Sequence, residues 1–443
     1  MSRYSNINEK RIWLWGMGDL FNTYSSLLNP SLNLVGVCDS DISKQGNEVK
    51  VYDEVYIIKD PCEIKNDEAV MICILDVNIE KQIKAILDEK GIDYCHIYEA
   101  VDEYWVSKES NMNTLMSLDD KMVKFIDCVV NVDACNLKCD YCYIGQHSDY
   151  KHRIPRFHSA KYIRKALSKE RMGGNVFINF CGTGETLLCK ELFLIVKELV
   201  EEGHYIQIVT NATIDKMIDK YMDINLSHVF FKCSLHYLQL KKQNLLDNFA
   251  TNIKFLHQAG ASVSVELVPE DELVPYIDEI KEYSLKNFGA LPHLTVPRDE
   301  RCDDLRILTN YSDDEFDKIW SVFQSPMFDF KMANRKSQRY NNCMAGLWAL
   351  QLDLETGEVK QCTGNRRIGN VYDLSKELEL KAVGKGCMLP YCFNCHAYLT
   401  LGLIPEVDAP TYCEMRDRTT ETGEHWINET MRKFFSQKLY DNN

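Results

Sequence analysis

The chain has 443 residues, too long for one ordinary core, and at roughly 150 residues per domain it divides into two or three. It is 45% hydrophobic and 26% charged, the balance of a folded globular protein rather than a disordered or fibrous one. Lys and Arg number 51 against 66 Asp and Glu, a net charge of −15 that repels phosphate backbones and anionic lipids and excludes nucleic acid and membrane as expected partners. The N-terminus MSRYSNINEKR has no apolar signal core, and no run approaches the ~18 apolar residues of a membrane span, so a cytoplasmic location is expected. Eighteen cysteines in a reducing compartment point to metal or redox chemistry rather than a disulfide framework. Nine of them (Cys38, Cys62, Cys73, Cys95, Cys128, Cys181, Cys189, Cys233 and Cys302) are scattered, mostly in apolar runs, and read as buried small hydrophobes.

Residues 1–105 alternate the apolar runs RIWLWG, NLVGVCD, EVYII, AVMICIL and YCHIY with helix-like stretches such as NIEKQIKAILDEKG, a βαβ pattern. A polar linker over 106–123 follows. Over 124–325 the alternation resumes as six β/α units, with strands MVKFIDCVVNV, NVFINFCG, YIQIVTNA, HVFFKCSLH, SVSVELV and PHLTV. Helices between them are signalled by SAKYIRKALSKE, LLCKELFLIVKELVEEG, NLLDNFATNIKFLHQAG, DELVPYIDEIKEY and DDEFDKIWSVF. Six units fall short of the eight that close a full barrel, so the fold class is α/β with a partial (β/α)6 barrel. Residues 326–415 form a Cys-rich region with short strands around Gly357, and 416–443 form a tail.

The segment DACNLKCDYCYIG places Cys135, Cys139 and Cys142 in one loop after the first barrel strand, spaced C-x3-C-x2-C. Three thiolates from one short loop suit three corners of a 4Fe-4S cube and leave the fourth iron without a protein ligand. A zinc loop completed by His147 is the other reading of the same residues. The triplet, with Tyr141 at its aromatic position, resembles the radical S-adenosylmethionine (SAM) superfamily. The resemblance implies that SAM chelates the open iron, that Tyr141 packs near the adenine, and that Cys135, Cys139 and Cys142 are the catalytic metal ligands. It also implies an electron donor such as flavodoxin or ferredoxin.

After the second barrel strand, NFCGTGETLL resembles the family's glycine-rich turn, with Thr183 and Thr186 as departures from Gly-Gly-Glu-Pro. Gly182 and Gly184 are expected to let the backbone approach the methionine moiety, and Glu185 to accept from its ammonium group. Polar residues at strand ends sit where barrel sites are built. Asn211 and Ser234 resemble ribose or carboxylate contacts, Glu266 a hydroxyl acceptor, and His236 stands near substrate or serves structure. Cys181 and Cys233, near strand ends, are candidate hydrogen-atom donors.

Cys343, thirteen residues, Gly357, four residues and Cys362 resemble the opening of a SPASM/twitch-like extension, and Cys387, Cys392, Cys395 and Cys413 follow. The closing half departs from the family: GCMLPYCFNC gives CX4CX2C where CX2CX5CX3C is expected. With a cysteine short of the usual seven, one auxiliary cluster is the expectation, two the upper count, and a zinc ribbon the other reading.

In the first domain WLWGMGDLF ends a strand and opens a helix, and Asp39 ends the next strand 21 residues after Gly18. That spacing is similar to dinucleotide folds, but Phe21 stands where a third glycine belongs. The domain resembles small Rossmann-like domains attached to sugar-modifying enzymes and is expected to hold a substrate or partner. The reading as a whole is a radical SAM enzyme that oxidises, couples or epimerises a peptide or sugar-like metabolite. Its alternative is a non-catalytic iron–sulfur or zinc sensor or scaffold.

Overall fold

The computed structural model describes residues 3–108, 120–146, 155–302, 306–337, 340–362, 366–385, 387–389, 391–392 and 394–443. The chain forms two compact units, one of residues 1–113, 156–166 and 371–377, the other of 114–155, 167–370 and 378–443.

The first unit carries strands β1 (Ile12–Trp15), β2 (Leu34–Cys38), β3 (Glu48–Val51), β4 (Glu54–Lys59), β5 (Ala69–Ile72) and β6 (Asp93–His96) in the order β3-β4-β2-β1-β5-β6. Every pair is parallel except β3 with β4, so the chain winds outward in both directions from β1. Five of these strands are the five apolar runs of the sequence. The sixth, β3, was not expected, because EVKV alternates charge with valine and leaves little apolar signal. The helix Val77–Lys90 starts where the Asp76 carboxylate accepts from Asn78 and Ile79 N–H groups at 2.8 and 3.0 Å, and stops at Gly91, whose φ of +65° suits a residue without Cβ. Trp13, Trp15, Val70, Ile72, Ile83 and Leu87 close the core.

The second unit is built on one nine-stranded sheet. Strands β7 (Met122–Val130), β8 (Asn175–Gly182), β9 (Tyr205–Thr210), β10 (Val229–Leu235), β11 (Ser262–Leu267) and β12 (His293–Leu294) lie side by side in chain order, all parallel. These are the six expected barrel strands. The crossover helices read as buried stripes: in Leu192–Glu202 the apolar positions Leu192, Ile195, Val196, Leu199 and Val200 are buried, three and four apart.

Strand β13 (Ala349–Asp353) lies parallel to the outer edge of β7, and β14 (Glu358–Lys360) and β15 (Arg367–Asn370) continue antiparallel beyond it. The hairpin turns at Gly357, φ +74°, so the Cys-rich region extends the barrel sheet itself. Its core draws in the chain's last helices, where Phe434 stacks on Tyr205 at 3.5 Å between ring centroids and Phe435 meets Phe177 and Phe230 edge-on. Among the described residues no helix is long and apolar enough to cross a membrane.

Candidate active site

The loop leaving β7 is held against the turn that leaves β8. Thr183 N–H donates to Val130 C=O at 3.0 Å and Glu185 N–H to Ala134 C=O at 2.8 Å. Between them, a Cβ on Gly184 would collide with the carbonyl oxygens of Ala134 and Val132. Gly184, which also lines the cavity, therefore makes room for the cysteine loop. Gly182 is crowded by Thr186, whose Oγ1 accepts from Gly182 N–H at 2.9 Å, which gives the departure at Thr186 a structural role.

This docking brings Cys135, Cys139 and Cys142 to one wall of a cavity of about 670 Å3 inside the second unit. Burial pushes the Cys135 thiol up and the Cys139 thiol up to about 12; Cys142 acts on Cys135, and Cys135 and Cys142 on Cys139. The Tyr141 hydroxyl and His236 Nδ1 share a hydrogen bond of 2.5 Å with their rings stacked, so His236 braces the loop's aromatic residue. Gln146 fastens the loop's far end, donating to Arg298 C=O at 3.1 Å and accepting from Glu300 N–H at 2.9 Å. His147, the expected fourth zinc ligand, lies outside the described residues.

Glu185 lines the cavity and is buried. Its Oε1 accepts from Thr210 Oγ1 at 2.5 Å and from Leu187 N–H at 3.0 Å, and its Oε2 from Asn211 N–H at 2.7 Å. Burial raises its pKa, with the three bonds opposing. The Asn211 side chain donates to Asn136 Oδ1 at 2.8 Å, tying β9 to the cysteine loop, and Ser234 also lines the cavity. Glu266 was expected as a hydroxyl acceptor, but Arg416 Nη1 takes its Oε1 at 2.7 Å and Lys232 Nζ its Oε2 at 2.9 Å. It anchors these two cations and also lines the cavity. Of the two strand-end thiols, Cys181 lines the cavity, whereas Cys233 is fully buried with its thiol near Phe231 C=O.

Deeper in the cavity three inward residues stand in register, Asp127 opposite Asn179 and Asn179 opposite Gln207. Gln207 Nε2 donates to Asn179 Oδ1 at 2.5 Å and Asn179 Nδ2 to Asp127 Oδ1 at 2.8 Å. The ends are completed by Asn394, which donates to Asp127 Oδ2 at 2.9 Å, and by Tyr412, which donates to Gln207 Oε1 at 2.6 Å. Lys331 borders the same space; burial, then the neighbouring Lys232, lowers its pKa to about 7. Sequence reasoning missed these groups. A signal existed: Asp127, Asn179 and Gln207 each sit between apolar neighbours within one of the first three barrel strands.

Among the C-terminal cysteines, Cys392 lies in the fields of Cys395, Cys343, Cys362 and Cys387, which gathers five thiols into one neighbourhood. Cys413, in the helix Tyr412–Arg416, shares a core cluster with Cys343, Cys362 and Cys392, and its polar neighbours are Asp417, Ser436 and Arg432. Among the described residues no three His, Cys, Asp or Glu side chains converge to hold one metal ion. In the first unit Asp39 is engaged by Met17 N–H at 2.7 Å and Lys44 Nζ at 3.0 Å, and Phe21 is buried in the core.

Residues 130–268 match the radical SAM superfamily, and residues 8–98 match the family described as C2185-like, N-terminal. No curated protein matches the chain by sequence. Similar solved structures include SuiB of Streptococcus suis bound to precursor peptide SuiA, at 14% identity and TM-score 0.43, covering 68% of this chain and 77% of that one. Native anSMEcpe with bound AdoMet is similar at 14% identity and TM-score 0.41 (56% and 78% covered), as is BtrN in complex with AdoMet and 2-DOIA at 18% and 0.34 (58% and 80%). The superfamily match runs from the last residue of β7 to just past β11 and spans the cysteine loop and the Glu185 turn docked on it, so this stretch of the chain is a radical SAM domain.

Proposed function

We propose that this protein is an enzyme that binds a 4Fe-4S cluster at Cys135, Cys139 and Cys142, cleaves SAM reductively, and removes a hydrogen atom from a peptide or small-metabolite substrate. The observation that carries the reading is the docking of the three-cysteine loop on the Glu185 turn, which puts three thiols and a buried carboxylate on one cavity. The donor set fits: three thiols from one loop leave one corner of a cubane open, and a cluster bound at separate irons does not require its thiolates to meet at a single point. When bound, the cluster supplies the electron that splits SAM into methionine and a 5′-deoxyadenosyl radical.

The chain's own residues do the rest. Glu185 receives the ammonium of SAM on a carboxylate already aimed by Thr210 and Asn211. Tyr141, fixed by His236, and Ser234, both lining the cavity, contact the adenosyl portion in this reading. The thiols of Cys343, Cys362, Cys387, Cys392 and Cys395 hold one auxiliary iron–sulfur cluster, and a flavodoxin or ferredoxin supplies electrons. The first unit holds the substrate or a partner.

The test is anaerobic reconstitution with iron and sulfide, reduction by dithionite, and chromatographic measurement of 5′-deoxyadenosine from SAM. Product should form with the natural chain and be lost when Cys135, Cys139 and Cys142 are all replaced by Ala. A natural chain that binds iron but makes no product is a sensor or scaffold instead.

A further inference from the structure

Three cations surround Glu266. Arg416 and Lys232 each hold one of its oxygens, at 2.7 and 2.9 Å, and the field of Lys331 reaches it as well. Lys331 hydrogen-bonds Thr295 Oγ1 and has no carboxylate partner among the described residues. The next carboxylate, Asp127, acts on Lys232 but is engaged by Asn179 and Asn394. Three cations thus share one carboxylate in the cavity lining, where Glu185 is held by Thr210, Leu187 and Asn211. The other cavity guanidiniums are matched, Arg298 by Glu300 at 2.9 Å and Arg335 by Asp313 at 2.5 Å. Arg416, 2% exposed, also has an Nε–H with no acceptor among the described residues. A carboxylate shared among three cations and an orphaned guanidinium donor both leave hydrogen-bonding capacity that an anion completes.

We propose that Lys331, Lys232 and Arg416 form a seat for an oxyanion on the substrate, a carboxylate or a phosphate. The inference rests on the enzymatic reading above and narrows its substrate class to acidic molecules. A substrate anchored there by its anionic end shares one cavity with the cysteine loop, since both line it.

The seat is tested on the full-length, iron-reconstituted protein with inorganic phosphate, acetate and neutral acetamide as probes, followed by ligand-detected NMR. Phosphate, acetate or both should bind saturably and acetamide should not; whichever anion binds better names the substrate's group. Lys331→Met should weaken anion binding at least about tenfold, and Lys331→Arg should restore most of it, with Lys331→Gln replacing the Met variant if that fails to fold. The proposal is overturned if neither anion binds, as would happen were Lys331 already paired with a metal-bound thiolate at Cys395. It is also overturned if Lys331→Met binds as well as the natural chain, or if SAM displaces phosphate, which would give the seat to SAM's own carboxylate. Probe binding requires no SAM cleavage, so loss of 5′-deoxyadenosine formation with anion binding intact refutes the enzymatic reading and not the seat.

Discussion

Asn211 N–H donates to Glu185 Oε2 at 2.7 Å, so the carboxylate that closes the turn after β8 is aimed by the residue that follows β9. Because its orientation is set by the protein, its charge is the part that a bound ammonium would read. Glu185→Gln keeps the shape and removes the charge. The expected result is SAM binding weakened by roughly 1.5–3 kcal/mol, about ten- to a hundredfold, with iron content unchanged. Equilibrium dialysis against SAM measures it, and an unchanged affinity removes Glu185 from the site.

Gly184→Ala acts differently. The added Cβ meets two backbone carbonyls, which cannot yield as a side chain would, so the cysteine loop must lift from the turn. Iron bound per chain at the triplet should fall together with SAM affinity. Full iron loading in Gly184→Ala would show that the contact does not position the loop.

Glu266 sets an acid limb. Burial alone would raise its pKa, but Lys232 and then Arg416 outweigh burial and hold it at about 2. That lies below the unfolded value of about 4.3, so the stabilisation is complete above about pH 4.3 and is lost as pH falls through about 2. Glu266→Gln should lower stability at pH 7 by roughly 3–5 kcal/mol, since it strands buried cations, and should reduce the loss on acidification. Urea unfolding at pH 7 and pH 3.5 reads both effects. An acid loss equal in the two proteins would take Glu266 out of the acid limb.

Cys413→Ser should leave iron content unchanged, whereas Cys392→Ser, at the centre of the five-thiol neighbourhood, should lower it. A chain with Cys135, Cys139 and Cys142 replaced by Ala should still hold about one cluster. Elemental analysis decides each case, and zinc in place of iron in the triple variant would mean a ribbon.

The barrel was legible because its strands are short segments rich in apolar residues, as burial on both faces of a parallel sheet favours. The cysteine loop and Glu185 were legible because their residues are close in sequence. The seat around Glu266 was not, since Lys232, Lys331 and Arg416 come from β10 and two distant helices, and only the folded chain brings them together. Asp127 was passed over for a related reason: inside MVKFIDCVV one acid is a local irregularity until the register aligns it with Asn179 and Gln207. The place of β13 beside β7 depends on pairing between segments that carry no local sign of each other.

The hydrogen-bonded row Asp127–Asn179–Gln207 has a consequence for the order in which the protein is made. Its three members are synthesised early, but Asn394 and Tyr412, which satisfy its two ends, emerge from the ribosome only after most of the chain. Until then the nascent barrel has polar groups at its centre that only water can satisfy, and a β7 edge open to any passing strand until residues 349–353 arrive. The barrel therefore cannot mature as an independent N-terminal-first unit. A chain interrupted before its last helices would expose Tyr205 and Phe177, and quality-control machinery would meet it as an unfinished protein rather than a shorter one.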